Sequence, residues 1–372
     1  MGRDGPFCAM SEHDLDDLEQ LRWMCERSLT WHGTRTAAEL LAGIPADAAI
    51  DEYGEGGAVA ALEDEMRGVL GKAAVVFMPG GTMAQQIALR IHADKRGLRT
   101  IGFHPTSHLE LHEEKAYQRL HGLVGLPVGN AHALITLADL QAIRERVAAV
   151  LFELPQREIG GRLPPWSELE EQVAFVRSQG AAVHLDGARL WECTPYYGRS
   201  PADISALFDS VYVSLYKGLG ALAGSCLAGE EELIAEARIW RRRHGGTLFG
   251  LWPNAASGLS ALRQRLPLMP AYFKHATAIA DALRAIPNVE IVPDPPQTPM
   301  MHLHLRVDEQ AFRAAARRIA QEQSVYTWRR AYPGPTPSIC VVEFTIGDAT
   351  LQFTPDEAAQ IIERLVSSSA GT

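Results

Sequence analysis

Val183-His184-Leu185-Asp186-Gly187-Ala188-Arg189-Leu190-Trp191, followed by Ser210-Val211-Tyr212-Val213-Ser214-Leu215-Tyr216-Lys217-Gly218-Leu219-Gly220, decides how this chain is read. Each stretch is an apolar run ending in charged or polar residues and glycine. That is the pattern of a buried parallel strand carrying chemistry at its C-terminal end. The first run delivers Asp186 and Arg189, the second Lys217. A lysine after a buried strand is a candidate Schiff-base nucleophile, because partial desolvation lowers the pKa of its amine. An acid on a neighbouring strand end can keep a pyridine nitrogen protonated. Pyridoxal 5'-phosphate (PLP) needs both, a lysine for its aldehyde and an acidic partner for its ring nitrogen.

The same alternation extends outward from these two strands. Residues 148–154 read as a buried strand with Glu153 at its end, and 169–178 as a helix closed by Gly180. Residues 100–103 form a short strand leading to His104-Pro105-Thr106-Ser107-His108, 123–128 form another apolar run, and 137–146 read as a helix. Farther upstream, a strand over 73–78 runs into Pro79-Gly80-Gly81-Thr82 and a helix through residue 91. Strand, Gly-Gly-Thr and helix make an anion site from bare backbone N–H groups plus a hydroxyl, or else a tight turn with no ligand. Before it come the acidic, glycine-rich loop Asp51-Glu52-Tyr53-Gly54-Glu55-Gly56-Gly57 and a helix over 60–70, with Glu63 and Arg67 at i, i+4. The expected fold is α/β with a mostly parallel sheet.

The ends differ in character. Residues 1–10 read as a loose tail, and a helix capped by Ser11 carries Leu15, Leu18, Leu21, Trp23, Met24 and Cys25 to near Ser28. A short helix follows over 37–41. After Gly246 the expected order is helices over 255–266 and 272–286, strands over 288–292 and 301–306, a helix over 309–323, a strand over 341–345 and a last helix over 355–365. Residues 332–337 form a proline-rich loop. The division expected is a helical arm over 1–45, a large cofactor-binding domain over 46–264 and a small α+β domain over 265–372.

Bulk properties exclude several classes. The formal net charge is −10, from 35 Lys+Arg against 45 Asp+Glu, which disfavours a nucleic-acid binder. The basic cluster Arg241-Arg242-Arg243-His244 reads as a solvated helix end or a holder of a cofactor phosphate. The cysteines (Cys8, Cys25, Cys193, Cys226 and Cys340) are odd in number, scattered and without a CxxC, as in reduced thiols of a cytoplasmic protein. His104 and His108 lack the HExxH context, so no metal is expected. No signal-peptide pattern or bilayer-length apolar run occurs, so no membrane association is expected. Neither GxGxxG nor a GKS/GKT follows a strand, which argues against a nucleotide site.

These motifs together resemble the threonine aldolases, in the β-eliminating-lyase group of fold-type-I PLP-dependent enzymes. The likeness runs from about Asp51 through Lys217 and more weakly to the end. It rests on Asp51-Glu52-Tyr53-Gly54, Gly81-Thr82, His184-Leu185-Asp186-Gly187-Ala188-Arg189 and Lys217-Gly218-Leu219-Gly220 with Gly224-Ser225, in that order. The resemblance implies that Lys217 binds PLP covalently, Asp186 pairs with the ring nitrogen and Ala188 lies on one ring face. It implies that His108 stacks on the other face and serves in proton transfer. Gly81 and Thr82, with Ser214, would hold the phosphate, and Arg189 would reach the phenolic oxygen or the substrate carboxylate. Tyr53 and Gly54 would line the site across the interface of a homodimer or homotetramer.

The implied reaction, in amino acid metabolism, is retro-aldol cleavage of a β-hydroxy-α-amino acid to glycine and an aldehyde. The alternatives are β-elimination or a retro-aldol on a bulkier amino acid, and a non-catalytic PLP-fold protein. Taken singly, His108 reads as a loop histidine, Arg189 as a structural partner of Asp186 and Glu153 as structural. The chain departs from the family pattern at Gln156, where a second histidine is usual, at Phe249, near a usual arginine, and at Glu343, where a carboxylate-binding arginine is usual. Arg157, Arg242, Arg243, Arg329 and Arg330 are the candidate replacements.

Overall fold

The computed structural model describes residues 18, 20–334 and 336–367. Cys8, the Ser11 cap, Leu15, the expected tail over 1–10 and Pro335 lie outside the described residues. The chain divides into two compact units, one of Thr36–Lys274 with Pro296–Met300, the other of the remaining N-terminal, middle and C-terminal segments.

The larger unit is built on a seven-stranded sheet. In chain order its strands are β1 (Ala74–Met78), β2 (Thr100–Phe103), β3 (Val124–Pro127), β4 (Ala149–Glu153), β5 (Ala182–Gly187), β6 (Ser210–Ser214) and β7 (Ser225–Gly229). Their order across the sheet is β1-β7-β6-β5-β4-β2-β3, with β7 antiparallel to both neighbours and the remaining pairs parallel. Its principal helices are α1 (Gly57–Leu70), α2 (Gly81–Arg96), α3 (His108–Leu111), α4 (Trp166–Ser178), α5 (Leu190–Tyr197), α6 (Glu231–Arg243) and α7 (Trp252–Arg265). The central strands β5, β6 and β7 are buried along their whole length, as strands covered on both faces must be. Helix α2 packs Ala84, Ile87, Ala88 and Ile91 with Val76, Tyr212 and Leu227 of the sheet, fixing the helix start over the strand ends.

Asp51 is the staple of the loop before α1. It is fully buried; one carboxylate oxygen accepts from the Gly54 N–H at 2.8 Å, and the other accepts from the N–H groups of Leu251 and Trp252 at 2.8 and 2.6 Å. Gly54 sits at φ +79°, and a Cβ there would strike the guanidinium of Arg241.

The smaller unit holds a four-stranded sheet of β8 (Val289–Val292), β9 (Met300–Leu305), β10 (Tyr332–Pro333) and β11 (Cys340–Thr345), in the order β10-β11-β9-β8, with the β8–β9 and β10–β11 pairs antiparallel. Helices α9 (Glu309–Gln323) and α10 (Pro355–Ser367) belong to it, and α8 (Met269–Leu283) leads into it.

Several expectations are corrected. The first helix is helical only to Met24, not to Ser28. Arg27–Ser28 instead pairs in parallel with Val325–Tyr326, because the Ser324 carbonyl takes the N–H groups of Glu26 and Arg27. The helix expected over 137–146 stops at Gln141 after a Thr136/Asp139 capping box. The sequence marks only the end of α6, at the basic cluster, and shows neither strand β7 nor helix α5. Segment 225–229 is short and small-residued, so only pairing to β6 and β1 on either side marks it as a strand.

Candidate active site

Parallel register brings two carboxylates side by side. Glu153 ends β4 and Asp186 lies next to it on β5. Burial pushes the Glu153 carboxyl up to about 8, with the neighbouring Asp186 adding to the shift. Its two oxygens accept from the N–H groups of His108 and Arg157, both at 3.2 Å, so it fixes where the His104–His108 loop enters α3. Asp186 is fully enclosed, and burial raises its pKa, opposed by the charges of Lys217 and His108. One oxygen takes the Ala188 N–H at 3.0 Å and the other takes the side-chain amide of Gln85.

Lys217 follows β6 in a turn held by its own N–H to Ser214 Oγ at 3.4 Å. Burial depresses its amine, as does the Arg189 charge, while Asp186 and Glu153 act in the opposite direction. Arg189 lies 3.9 Å from Glu192, an ion-pair partner three residues on at the start of α5.

His108 opens α3 with Nδ1 3.0 Å from an oxygen of Glu113. Burial depresses the imidazole to about 4, with Lys217 contributing, and burial raises Glu113 to about 7. Sequence reasoning missed Glu113; its spacing of five from His108 in a short irregular helix is no recognised signature. Below pH ~7 the Glu113 carboxyl is protonated and donates to Nδ1; above it, the carboxylate accepts Nδ1–H and leaves Nε2 bare to take a proton. Activity is therefore expected to rise with pH through about 7, and Glu113→Gln should remove that limb from the pH–rate profile. The stability sign is opposite. The folded chain holds this proton from the ordinary 4.5 up to about 7, so wild-type stability falls across that window and the variant's falls less.

At the start of α2, Gly80 offers no side-chain cap, so the first-turn N–H groups face outward beside Thr82. A Cβ on Gly81 would overlap the hydroxyl of Tyr212, which also meets Ser214. Tyr212 was likewise missed, although a tyrosine inside a buried apolar run signals a hydroxyl that needs a partner.

Among the other residues singled out, Ala188 is buried next to Asp186. Tyr53 makes its contacts elsewhere. It is 55 % exposed at φ 52°, edge-on to Phe249 with centroids 5.4 Å apart, and its N–H donates to the Phe249 carbonyl. Gln156 is buried and donates to Thr106 Oγ1 at 3.4 Å, on the His104–His108 loop. Among the candidate arginines of this unit, Arg157 is the one whose charge acts on both Lys217 and His108. Arg243 stacks over Trp240 at 4.5 Å on α6, and Arg242 is exposed there. Arg241 is buried and donates to the Phe77 carbonyl at 2.9 Å, so the basic cluster is not wholly solvated. Glu343 and the pair Arg329 and Arg330 belong to the smaller unit, where the Glu343 carbonyl accepts from Trp328 Nε1 at 2.9 Å.

The β-eliminating lyase family model matches residues 29–307. A Listeria monocytogenes EGD-E structure provisionally described as an L-allo-threonine aldolase is 38 % identical, with TM-score 0.89, covering 95 % of this chain and 99 % of that one. An Exiguobacterium sp. 255-15 structure, provisionally an aromatic amino acid β-eliminating lyase/threonine aldolase, is 36 % identical with the same TM-score and coverage. Low-specificity L-threonine aldolase 1 of Arabidopsis thaliana is 28 % identical over 242 residues, 62 % of this chain and 67 % of that protein. The fold is the α/β arrangement of the fold-type-I enzymes, and the chain belongs to the β-eliminating lyase family.

Proposed function

We propose that this protein is a PLP-dependent lyase that cleaves a β-hydroxy-α-amino acid to glycine and an aldehyde, as a threonine aldolase does. The observation that carries the reading is the convergence of Lys217, Asp186 and His108 from three different segments: the strand before Lys217 neighbours that of Asp186, and the His108 N–H is held by Glu153, the register partner of Asp186, so that the three charges act on one another. The residues fit the cofactor on their own chemistry. They offer a depressed amine, a carboxylate at a neighbouring strand end, and an uncapped helix start with Gly81 pressed against Tyr212. Lys217 would hold PLP covalently, Asp186 would pair with its ring nitrogen, and the N-terminus of α2 with Thr82 and Ser214 would take its phosphate. When bound, PLP supplies an electron-poor ring that accepts the pair released as Cα–Cβ breaks. His108 Nε2, with Nδ1 turned to Glu113, takes the proton of the substrate β-hydroxyl. Ala188 and the His108 ring would bound the two faces of the cofactor ring, as the family resemblance implies.

Arg189 and Arg157 bind the substrate carboxylate, in place of the arginine that Glu343 displaces. Arg157→Ala is expected to raise KM about ten- to a hundredfold with kcat little changed, the loss of a hydrogen bond to a charged group. Arg242→Ala, on the exposed end of α6, should leave both constants unchanged. The low-specificity aldolases among the relatives, and the Listeria protein named for L-allo-threonine, favour small β-hydroxy amino acids as substrates. The working form is a homodimer or homotetramer in the cytoplasm. Exposed Tyr53, Leu248 and Phe249 supply apolar surface for the interface. Free thiols at Cys25, Cys193, Cys226 and Cys340 suit a reducing compartment. Among the described residues, no helix is long and apolar enough to cross a membrane.

The test is a product assay on PLP-loaded protein with L-threonine, L-allo-threonine, β-phenylserine and L-serine. Aldehyde and glycine in equal amounts are expected. Pyruvate would transfer the protein to β-elimination, and silence on the whole panel would remove the aldolase reading.

A further inference from the structure

Behind Asp186 lies a file of buried polar side chains that the reaction does not itself use. Gln85 and His92 stand seven residues apart on α2, two turns along one face. His184 and Ser210 are paired residues of β5 and β6, and His184 shares a sheet face with Asp186, two residues on. Gln85 Oε1 meets His184 Nε2 at 2.7 Å, His184 Nδ1 meets Ser210 Oγ at 2.7 Å, and Ser210 Oγ meets His92 Nε2 at 2.7 Å. Gln85, His184 and Ser210 are wholly buried and His92 is 4 % exposed, so no water shares these bonds at Gln85, His184 or Ser210.

The donors can be assigned link by link. A carboxylate accepts only, so Gln85 turns its amide nitrogen to Asp186 and its oxygen to His184. That oxygen requires a hydrogen on His184 Nε2. Burial depresses His184 and His92 to about 3, so each ring carries one hydrogen. His184 Nδ1 is then bare and takes the Ser210 hydroxyl hydrogen, and Ser210 Oγ takes the Nε2–H of His92. Every dipole points toward Asp186, and bonds aligned in this way polarise one another. If Asp186 were protonated and donating to the amide, every link would have to reverse.

We propose that Gln85, His184, Ser210 and His92 form a one-way hydrogen-bonded chain that holds Asp186 as a carboxylate and, through it, the ring nitrogen of bound PLP as N–H. This rests on the reading of Asp186 as the ring-nitrogen partner. The four are positioning residues, since each acts through Asp186.

The experiment compares the affinity of apoprotein for PLP and for its analogue with C–H in place of the ring nitrogen. The wild type should prefer PLP. Ser210→Ala and His92→Leu should each narrow that preference about three- to tenfold, the worth of one hydrogen bond. His92→Gln, which places an amide N–H where the imidazole Nε2–H stood, should restore it. A purely structural role would weaken both ligands equally, and an unchanged preference in the variants overturns the chain. A wild type without preference overturns the reading of Asp186 instead. Independently of ligand and of variant folding, ¹⁵N NMR of histidine-labelled wild type should show His184 protonated at Nε2; protonation at Nδ1 overturns the chain's direction.

Discussion

Lys217→Ala is expected to lower turnover by at least about 10³-fold while leaving a folded protein. The amine is the proposed covalent attachment point, and its charge acts on each of Asp186, Glu153 and His108. Its removal costs the fold little, because burial and the charge of Arg189 both act against the ammonium form. The folded state therefore binds this proton less readily than the unfolded chain, whose lysine titrates near 10.5, and wild-type stability gains as pH rises toward that value. The variant should unfold at the same temperature or higher near neutral pH, and its stability should be flatter in alkali. Thermal unfolding across pH together with the glycine and aldehyde assay checks both halves. Full turnover in the variant would remove the covalent mechanism.

The second large effect is expected from Asp186→Asn, a fall in kcat/KM of about 10²- to 10³-fold with weaker PLP binding. The substitution keeps the shape and removes the charge. Both carboxylate oxygens are already engaged by donors, the Ala188 N–H and the Gln85 amide. An asparagine must turn its own NH₂ toward one of them, donor against donor, so the side chain loses a bond as well as its charge. The neighbouring Glu153 carboxyl should then titrate lower than about 8, because Asp186 is one of the groups holding it up. A carboxyl titration followed by infrared or NMR reads that shift without any cofactor present. Glu153 unmoved in the variant would mean that the two strand ends do not share their charge.

Much of this site was legible in the chain. The apolar runs ending at Asp186 and Lys217 announced buried strands, because a strand covered on both faces can only be apolar and its polar residues collect at its end. Gly80-Gly81-Thr82 after a strand announced a helix start, since close backbone approach there excludes a side chain, as the Gly81–Tyr212 contact shows. Less legible were groups joined by packing alone. Glu113 faces His108 because α3 is a single turn; Gln85 reaches Asp186 across the gap between α2 and β5. Asp51, read as part of an acidic loop, proved to be the bond holding that loop to residues 251 and 252.

By itself the sequence determined the class of fold, the family likeness and the residue types brought to the strand ends, because hydrophobic period and glycine placement are local properties of the chain. The tertiary structure alone decided which carboxylate stands beside which, which nitrogen of His108 is engaged, and that Arg157 rather than Arg242 or Arg243 acts on the cluster. Those facts depend on strand register and helix docking between residues far apart in the chain, and no local pattern encodes a distance.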